Sequence, residues 1–274
     1  MKESVFQPYI QNIDGFDVIG QKYLRHIAKQ QGLTYQGAEI AALEDNITPC
    51  RYLANVKFIG PDGQRKLLNS KAAVIGCGAV GGMVCEILAR LGVGQVDMID
   101  FDVFEESNLN RQIMSTEEDI GRSKTQCAKE RVEKINSAIA ARALDIKLSE
   151  ANALSIVSGC DIVFDGLDNA RDKLILEDAC LKSHVPLIHG AISDSMLQVA
   201  PIRDKGILGN LYAGGLENPV SGTPACTAVA CAAAQAGEAV KILLGIGDVM
   251  DGSVLRCDWL FWSGDVVELG ISYE

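Results

Sequence analysis

The sequence predicts an α/β fold with a mainly parallel sheet, antiparallel strands near the C-terminus and a helical N-terminal extension. From Lys71 onward, short apolar runs alternate with longer segments of helical period, which implies right-handed crossovers between parallel strands. A glycine-rich turn follows the first apolar run, where a buried strand leads into a helix. The tail after Met196 is expected to add the antiparallel strands.

Residues 1–50 are predicted to form the helical extension. Apolar side chains recur near the helical period in Tyr23–Ile27 and Ala38–Leu43, and Gln31–Gly32 separates the two stretches. Thr48–Pro49 marks the boundary, because the residue before a proline disfavours helix. We therefore expect an extension at residues 1–50 and one α/β domain at residues 51–274.

The elements of the α/β part follow from the same patterns. Strands are predicted at Ala72–Ile75, Val96–Ile99, Ala143–Ile146, Asp161–Phe164, Pro186–His189, Met196–Ile202, Val254–Cys257 and Asp265–Glu268. Helices are predicted at about Val80–Leu91, Lys124–Asn136 and Ala170–Lys182, followed by a long helix ending at Leu244.

Composition and charge exclude several classes of function. The net charge of −11 argues against nonspecific binding to nucleic acid or anionic membranes. The sequence opens without a signal peptide, and the apolar stretch Ala225–Leu244 is interrupted by polar residues, which favours a buried helix. Nine cysteines point to a reducing compartment, and we expect a cytoplasmic protein. No two cysteines have Cys-x-x-Cys spacing, so zinc is not expected.

The segment Gly76–Gly81 fits the pattern G-x-G-x-x-G between a predicted strand and a predicted helix. Gly76, Gly78 and Gly81 would allow a tight turn and close approach of phosphate to the helix N-terminus. Asp100 ends the next strand, where an acid accepts hydrogen bonds from a ribose. A turn that only packs helix against strand is the alternative. Together these features predict a Rossmann-like site for an adenosine-type ligand, without choosing between NAD and ATP.

The residues after the second strand favour ATP. Arg111 and Lys124 could meet the charge that builds on phosphates during nucleotidyl transfer, for which hydride transfer has no need. Asp168 follows the fourth strand, where a carboxylate can hold Mg²⁺ against a triphosphate. Singly, these charges could be surface ion pairs, and Asp168 or Asn169 could cap the next helix. Their joint order beside the glycine loop favours the site.

At this point the sequence resembles the ubiquitin-activating-enzyme-like adenylyltransferases, the family that includes MoeB, ThiF and HesA. The resemblance runs from Arg51 to about Leu269. It is carried by the glycine loop and by the segments Gly60–Gln64, Leu67–Ser70, Asn108–Gln112, Gly121–Lys124, Asp165–Asn169 and Gln235–Lys241.

The resemblance implies ATP, Mg²⁺, a homodimer, and adenylation of the C-terminal glycine of a small ubiquitin-like (β-grasp) sulfur-carrier protein ending in Gly-Gly. It makes residues 51–274 an ATP-binding adenylyltransferase domain. Asp100 would hold the ribose, and Asp168 would bind Mg²⁺. The phosphate path would be lined by Asn108, Arg111, Gln112 and Lys124.

Three positions depart from the family pattern. Relatives carry two Cys-x-x-Cys pairs for zinc, and here only Cys257 stands near the second pair. Many relatives have a cysteine about twenty residues before the glutamate that corresponds to Glu238, whereas this sequence has Glu217–Asn218 there. A persulfide or thioester step is therefore not implied. The family's Arg-Tyr-x-Arg is Arg51–Ala54 here, so the second arginine, which reaches the partner subunit's ATP, is absent.

Alternatives remain open from the sequence. An NAD(P)-dependent oxidoreductase would share the loop and Asp100 but would leave Arg111, Lys124 and Asp168 unexplained. A non-catalytic binding subunit of the same fold is slightly favoured by Ala54 and the missing cysteine, whereas the retained Arg111, Lys124 and Asp168 argue against it. Adenylation could also act on a small-molecule or modified-nucleoside carboxylate, of which tRNA is the weakest candidate because of the negative charge.

Overall fold

The computed structural model describes residues 4–213 and 222–269, which form an N-terminal unit packed against an eight-stranded sheet with its helices. The strands in these ranges are β1 Ile10–Ile13, β2 Phe16–Ile19, β3 Thr48–Pro49, β4 Lys71–Ile75, β5 Gln95–Asp100, β6 Ala140–Asp145, β7 Ile162–Asp165, β8 Leu187–Ser193, β9 Met196–Ile202, β10 Ser253–Asp258 and β11 Ser263–Glu268. The α-helices are α1 Gln21–Gln31, α2 Tyr35–Glu44, α3 Leu53–Asn69, α4 Ala79–Leu91, α5 Lys124–Ile135, α6 Ala153–Val157, α7 Ala170–Ser183, α8 Leu208–Tyr212 and α9 Ala225–Leu244.

The large sheet has the order β11-β10-β9-β8-β7-β4-β5-β6. Strands β8, β7, β4, β5 and β6 are parallel neighbours, whereas β9, β10 and β11 add antiparallel to β8. This arrangement confirms the predicted fold class. The two residues between β8 and β9 leave room for a hairpin only, since a parallel connection needs a crossover of a dozen or more residues.

The N-terminal unit contains the two predicted helices and a small sheet that the sequence did not predict. Strands β1 and β2 form a hairpin whose turn, Asp14–Gly15, has positive φ at both residues. This is the backbone that an Asp-Gly hairpin turn requires. Thr48–Pro49, expected only as a boundary, is strand β3 and lies parallel to β2. Each strand is too short to show a period, so the turn dipeptide was the available signal.

Apolar side chains cover both faces of the large sheet. One cluster joins the sheet to α4, α5 and α9, and a second joins the opposite face to α6, α7 and α8. By length and composition α9 could cross a membrane, but half of its most apolar window is buried here against α4, β8 and β9. The helix thus serves as a core element, as its interrupted apolar pattern predicts.

The strand order changes direction at β4, which has β5 on one side and β7 on the other. In open α/β sheets, ligands bind in the crevice outside the carboxyl ends of the strands at this switch point. The loops after β4, β5 and β7 meet there. They carry the glycine loop, Asp100 and the Asp165–Asn169 segment.

Candidate nucleotide site

The glycine loop connects β4 to α4 and lies against the loop after β7. Gly76 has φ +88°, and a Cβ there would lie 2.5 Å from the carbonyl oxygen of Gly166. A Cβ on Gly81 would lie 1.8 Å from the carbonyl oxygen of Gly76. Packing therefore requires glycine at both positions. At Gly78 the nearest atom to an added Cβ is Gln112 Nε2, at 3.7 Å, so packing alone does not explain this glycine.

Gly78 is also the N-cap residue of α4, and no side chain caps the helix there. The first N–H groups of a helix have no partner within the helix and favour an anion. The loop thus combines a helix N-terminus without a side-chain cap and a backbone that another molecule can approach closely. This is the combination that phosphate groups bind.

Asp100 ends β5 and is mostly buried beside the glycine loop. Its Oδ2 accepts a hydrogen bond from the backbone N–H of Cys77 at 2.7 Å. Its Oδ1 accepts from the N–H groups of Phe101 and Asp102, at 2.7 and 3.0 Å. These bonds fix the carboxylate at the edge of the loop, which is the placement expected for a ribose acceptor.

The segment between β5 and α5 carries three of the predicted phosphate-path residues. The Asn108 side chain is buried and accepts from the backbone N–H of Glu105 at 3.1 Å, which closes a 3₁₀ turn. Arg111 Nη1 donates to the carbonyl oxygen of Ser107 and to Asn110 Oδ1, both at 2.8 Å. Gln112 is buried next to Gly78, so this segment and the glycine loop meet.

Lys124 begins α5 and its side chain is only 10% exposed. Its Nζ lies 3.1 Å from Asp102 Oδ2, and its backbone N–H donates to the carbonyl oxygen of the same residue at 3.0 Å. The ammonium group is therefore held close to the end of β5. Any phosphate oxygen that binds Lys124 has to compete with the carboxylate of Asp102.

Asp168 and Asp165 lie in different surroundings although three residues separate them. Asp168 is exposed, and its Oδ1 accepts from Asn169 Nδ2 at 3.3 Å. Asn169 caps α7 by accepting the N–H of Asp172 at 2.9 Å, which is the capping role considered for it. The hydrogen bonds of Arg111 and Asp168 stay within their own loops, so the structure brings these two side chains to the same edge without joining them.

Asp165 belongs to a buried charged cluster that sequence reasoning missed. Lys173 Nζ donates to both carboxylate oxygens of Asp165, at 2.9 and 3.0 Å, and to the carbonyl oxygen of Gly190 at 2.9 Å. His189 Nδ1 lies 2.7 Å from Asp165 Oδ2. The Asp165 Oδ1 also accepts the N–H of Leu167 at 3.0 Å, which fixes the loop that leads to Asp168.

The titration of this cluster follows from its burial. Burial opposes ionisation of Asp165, but Lys173 and His189 outweigh it and lower the pKa of the carboxyl. Burial likewise lowers the pKa of His189, although the hydrogen bond to Asp165 opposes the shift. At neutral pH the cluster therefore holds one ion pair and a neutral imidazole. No sequence pattern marks this cluster, because Lys173 lies in an ordinary helical pattern and His189 in an ordinary strand pattern.

The residues present fit a bound nucleotide. The Oε1 atom of Gln112 is buried with no hydrogen-bond partner among the described residues. Native proteins satisfy such atoms, and an amide oxygen accepts, so the partner it lacks is a donor such as a hydroxyl or amino group of a nucleotide and not a phosphate oxygen. The Gln112 side chain adjoins Gly78 and the start of α4. In the described part of the chain, no group of three His, Cys, Asp or Glu side chains gathers as a metal site. Nucleotide-bound Mg²⁺ needs one or two carboxylates plus phosphate oxygens, which Asp168 suits.

Arg51, the retained arginine of the altered motif, is engaged within its own chain. Its Nη1 donates to Asn136 Oδ1, and its Nη2 donates to the hydroxyl of Tyr35 at 3.1 Å. Its Nε lies 3.4 Å from Glu39 Oε1, and Glu39 is fully buried. The side chain thus links the N-terminal unit to the end of α5. Positions 217 and 218, where relatives carry a cysteine, lie outside the described residues.

Comparisons with known proteins agree on one family. The sequence profile of the ThiF family matches residues 50–269. The chain is 31% identical over 214 residues to the SAMP-activating enzyme E1 of Haloferax volcanii, covering 73% of this chain and 77% of that protein. It is 33% identical over 215 residues to the sulfur carrier protein adenylyltransferase of Thermus thermophilus, covering 74% and 79%.

A third relative is longer. The probable adenylyltransferase/sulfurtransferase MoeZ of Mycobacterium tuberculosis is 33% identical over 217 residues, and the match spans 74% of this chain but only 55% of MoeZ. Among solved structures, E. coli MccB with ATP superposes with a TM-score of 0.73 at 22% identity, covering 82% of this chain and 73% of that chain. PaaA gives 0.70 at 19% identity, covering 80% and 72%. At these identities the structures show the same fold.

Proposed function

Because this chain belongs to the ThiF family, we propose that it is an ATP-dependent adenylyltransferase that activates the C-terminal carboxylate of a small sulfur-carrier protein. Two relatives above 30% identity carry names with this chemistry, adenylation of a sulfur carrier or activation of SAMP. The observation that carries the proposal is that Asp100 joins the two sides of one cleft, since it accepts the N–H of Cys77 in the glycine loop and the N–H of Asp102, whose carboxylate holds Lys124. Phosphates bound there would lie between a cation and free helix N–H groups.

The reaction requires a carboxylate oxygen of the acceptor to bond to the α-phosphorus of ATP. The bond from that phosphorus to the bridging oxygen breaks, and pyrophosphate leaves with the electron pair. Lys124 and Arg111 would stabilise the negative charge that develops on the phosphates, as fixed cations do in phosphoryl transfer. Lys124 would exchange Asp102 for a phosphate oxygen, while Asp100 would orient the ribose.

Mg²⁺ would neutralise phosphate charge when bound. Of the acids at this edge, Asp168 is the better candidate to hold it, because its carboxylate is exposed and its contact is a single long hydrogen bond from Asn169. The Asp165 carboxylate is already bound by Lys173 and His189. Asn169 would keep its capping role.

The acceptor, assembly and boundaries form part of the proposal. The acceptor is a β-grasp protein ending in Gly-Gly, and the enzyme is a homodimer, as the family resemblance implies. Its cytoplasmic location follows from the cysteine usage. Residues 1–50 are the extension and residues 51–274 the ATP-binding domain. The start of the ThiF match at residue 50 supports this division, as does the separate apolar cluster that joins α1 and α2.

The test combines ligand binding with a partial reaction. Calorimetric titration should detect binding of ATP with Mg²⁺ and no comparable binding of NAD. Pyrophosphate exchange into ATP should appear only when a carrier protein ending in Gly-Gly is added, and a carrier lacking the last glycine is the control. Tight NAD binding without ATP binding would contradict the proposal and return the oxidoreductase reading.

A further inference from the structure

A second acid lies at the end of the strand next to Asp100. Asp145 is the last residue of β6 and pairs directly with Asp100, the last residue of β5, in the parallel register. The carboxylates thus follow neighbouring strands at the nucleotide edge of the sheet. Asp100 binds backbone N–H groups of the loops around it, whereas the bonds of Asp145 point to α5.

The Asp145 carboxylate accepts hydrogen bonds from the side chains of Ser123, the N-cap of α5, and of Thr125 and Gln126 in its first turn. Its Oδ1 accepts from Ser123 Oγ at 2.5 Å and from the hydroxyl of Thr125. Its Oδ2 accepts from Gln126 Nε2 at 3.3 Å. The hydrogen bonds from Ser123 and Thr125 lower the pKa of Asp145, so the carboxylate is ionised at neutral pH. A negative charge at this place also suits the positive end of the helix dipole.

Lys124 stands between the two hydroxyl residues that Asp145 holds. Ser123 is the N-cap of α5 and accepts the N–H of Gln126 at 3.2 Å, so its position sets where the helix begins. Thr125 is fully buried. On its other side, the Lys124 ammonium and N–H both contact Asp102 after β5. The first turn of α5 is therefore held between the ends of β5 and β6.

We propose that Asp145 is a positioning residue for the adenylation reaction, which holds Lys124 at the phosphate site through Ser123 and Thr125. The proposal rests on the function proposed above. Asp145 does not touch the phosphates in this scheme. It fixes the start of the helix, so that Lys124 stays in place when its ammonium exchanges Asp102 for a phosphate oxygen. Without it, the first turn of α5 could move, and displacements near 1 Å cost roughly a hundredfold in rate.

The test is a double-mutant cycle with Asp145→Ala, Lys124→Ala and both together. The readouts are pyrophosphate-exchange kcat, the KM for ATP, and the Kd for ATP with Mg²⁺ by calorimetry. Asp145→Ala should lower kcat about 10- to 100-fold, with a smaller change in the Kd. In the Lys124→Ala background, Asp145→Ala should lower kcat little further, because the effects of residues that act as a unit are not additive.

Conservative and control variants separate positioning from general stability. Asp145→Asn keeps an acceptor oxygen for Ser123 and Thr125 and should recover most of the kcat. Thr125→Val should lower kcat in the same direction as Asp145→Ala, by a smaller factor. The control is Asp161→Ala. Asp161 Oδ2 accepts the N–H of Lys71 at 2.7 Å, at the amino ends of β4 and β7 and thus at the other end of the strands from the nucleotide site. That variant should alter thermal stability without changing kcat.

The outcomes are distinct. Equal rates for Asp145→Ala and wild type, or full multiplication of the two single effects in the double variant, would overturn the positioning role while leaving the proposed function standing. A wild-type protein that does not bind ATP would overturn both. If Asp145→Ala does not fold, the cycle is completed with Thr125→Val, and additivity there overturns the proposal.

Discussion

At the scale of single residues, the environment of a side chain decides its role more than its place in a motif. Asp165 and Asp168 belong to one motif, yet Asp165 is buried against Lys173 and His189 whereas Asp168 is exposed. Removing a buried carboxylate that pairs with a buried lysine destabilises the fold, because it leaves the lysine charge unpaired. An exposed carboxylate at the same edge is free to bind a ligand.

We expect Asp168→Ala to lose pyrophosphate exchange by about a hundredfold or more while the protein stays folded, because a metal contributes several kcal/mol to transition-state stabilisation. Asp165→Ala should instead lower the free energy of unfolding by about 3–5 kcal/mol, because Lys173 loses its buried partner. Exchange assays and urea unfolding of both variants measure this contrast. Near-normal exchange in folded Asp168→Ala would remove Asp168 from the proposed site.

Two glycines of the loop should also differ in role, Gly81 in stability and Gly78 in ATP binding. Gly81→Ala places a Cβ within 1.8 Å of a backbone oxygen, so we expect a large loss of thermal stability. Gly78→Ala meets only the Gln112 side chain, at 3.7 Å, so it should fold and bind ATP at least tenfold more weakly, because the methyl group occupies the phosphate approach. Calorimetry and thermal melts of both variants test this. Unchanged ATP affinity in Gly78→Ala would place the phosphates elsewhere.

The buried His189 predicts a pH dependence of stability. Its pKa is lowered in the folded state, so the unfolded chain takes up a proton near pH 6.5 that the folded protein excludes. Stability is therefore fully present above pH 6.5 and is lost as the pH falls toward the lowered pKa. The loss between pH 6.5 and 5 should be at most about 2 kcal/mol.

Urea unfolding at pH 7, 6 and 5 measures the effect. His189→Asn keeps a donor for Asp165 but does not titrate, so its stability should fall less over this range. His184→Asn is the matched control, because His184 is exposed and its positive φ is one that Asn adopts readily. If wild type and His189→Asn lose stability in parallel, His189 is not the group responsible.

At the scale of elements, the sequence predicted those that carry a clear period. The parallel strands and the helices α4, α5, α7 and α9 were found within a few residues of their predicted bounds. The hairpin of the N-terminal unit was missed because four-residue strands show too little alternation. Helix α3 was missed because Gly60–Pro61 break its pattern, and the structure has a non-helical φ of 71° at Gly60.

Helix α5 is held at both ends. The contacts at its C-terminal end lead to a prediction about the stability of the protein. Arg51 contacts Glu39 in the N-terminal unit and Asn136 after α5. Burial raises the pKa of Glu39, while Arg51 favours the ionised carboxylate. Arg51→Met should therefore lower the free energy of unfolding by about 3 kcal/mol, because Glu39 remains buried without its partner.

Glu39→Gln in the Arg51→Met background should recover part of that loss, because the buried charge is removed. Lys57→Met is the control, since Lys57 pairs with exposed Asp14 and its removal should cause no resolvable change. Urea unfolding of the four proteins gives the comparison. A loss no larger than that of Lys57→Met would mean that the Arg51 contacts do not stabilise the junction.

At the scale of the whole molecule, the sequence predicted which loops share the carboxyl ends of the parallel strands, but not the contacts among their side chains. The glycine loop, Asp100 and Asp168 follow strands that end at one edge, so alternation alone brings them together. The contacts of Lys124 with Asp102, of Asp145 with Ser123, and of Asp165 with Lys173 depend on side-chain directions across neighbouring strands and helices. These contacts cannot be predicted from the spacing of residues in a single sequence.

The distribution of thiols leads to a prediction for the purified protein. Most of the nine cysteines are buried, Cys50 and Cys226 are exposed, and all are free. Scattered buried thiols do not offer the tetrahedral set that structural zinc needs. Elemental analysis of freshly purified protein should therefore find no stoichiometric zinc. One zinc per chain would contradict this and would require distant cysteines to converge.

The ion pair between Lys124 and Asp102 has a consequence for selectivity among anions. With its ammonium 3.1 Å from a carboxylate, the cleft carries its own counter-ion before any nucleotide arrives. A singly charged competitor would gain little by replacing one anion with another of similar charge. A triphosphate brings several negative charges at once and can also engage Arg111 and the helix N-terminus, so it recovers more than the displaced pair loses. If Lys124 binds phosphate as proposed, the pair would therefore favour a triphosphate over singly charged anions.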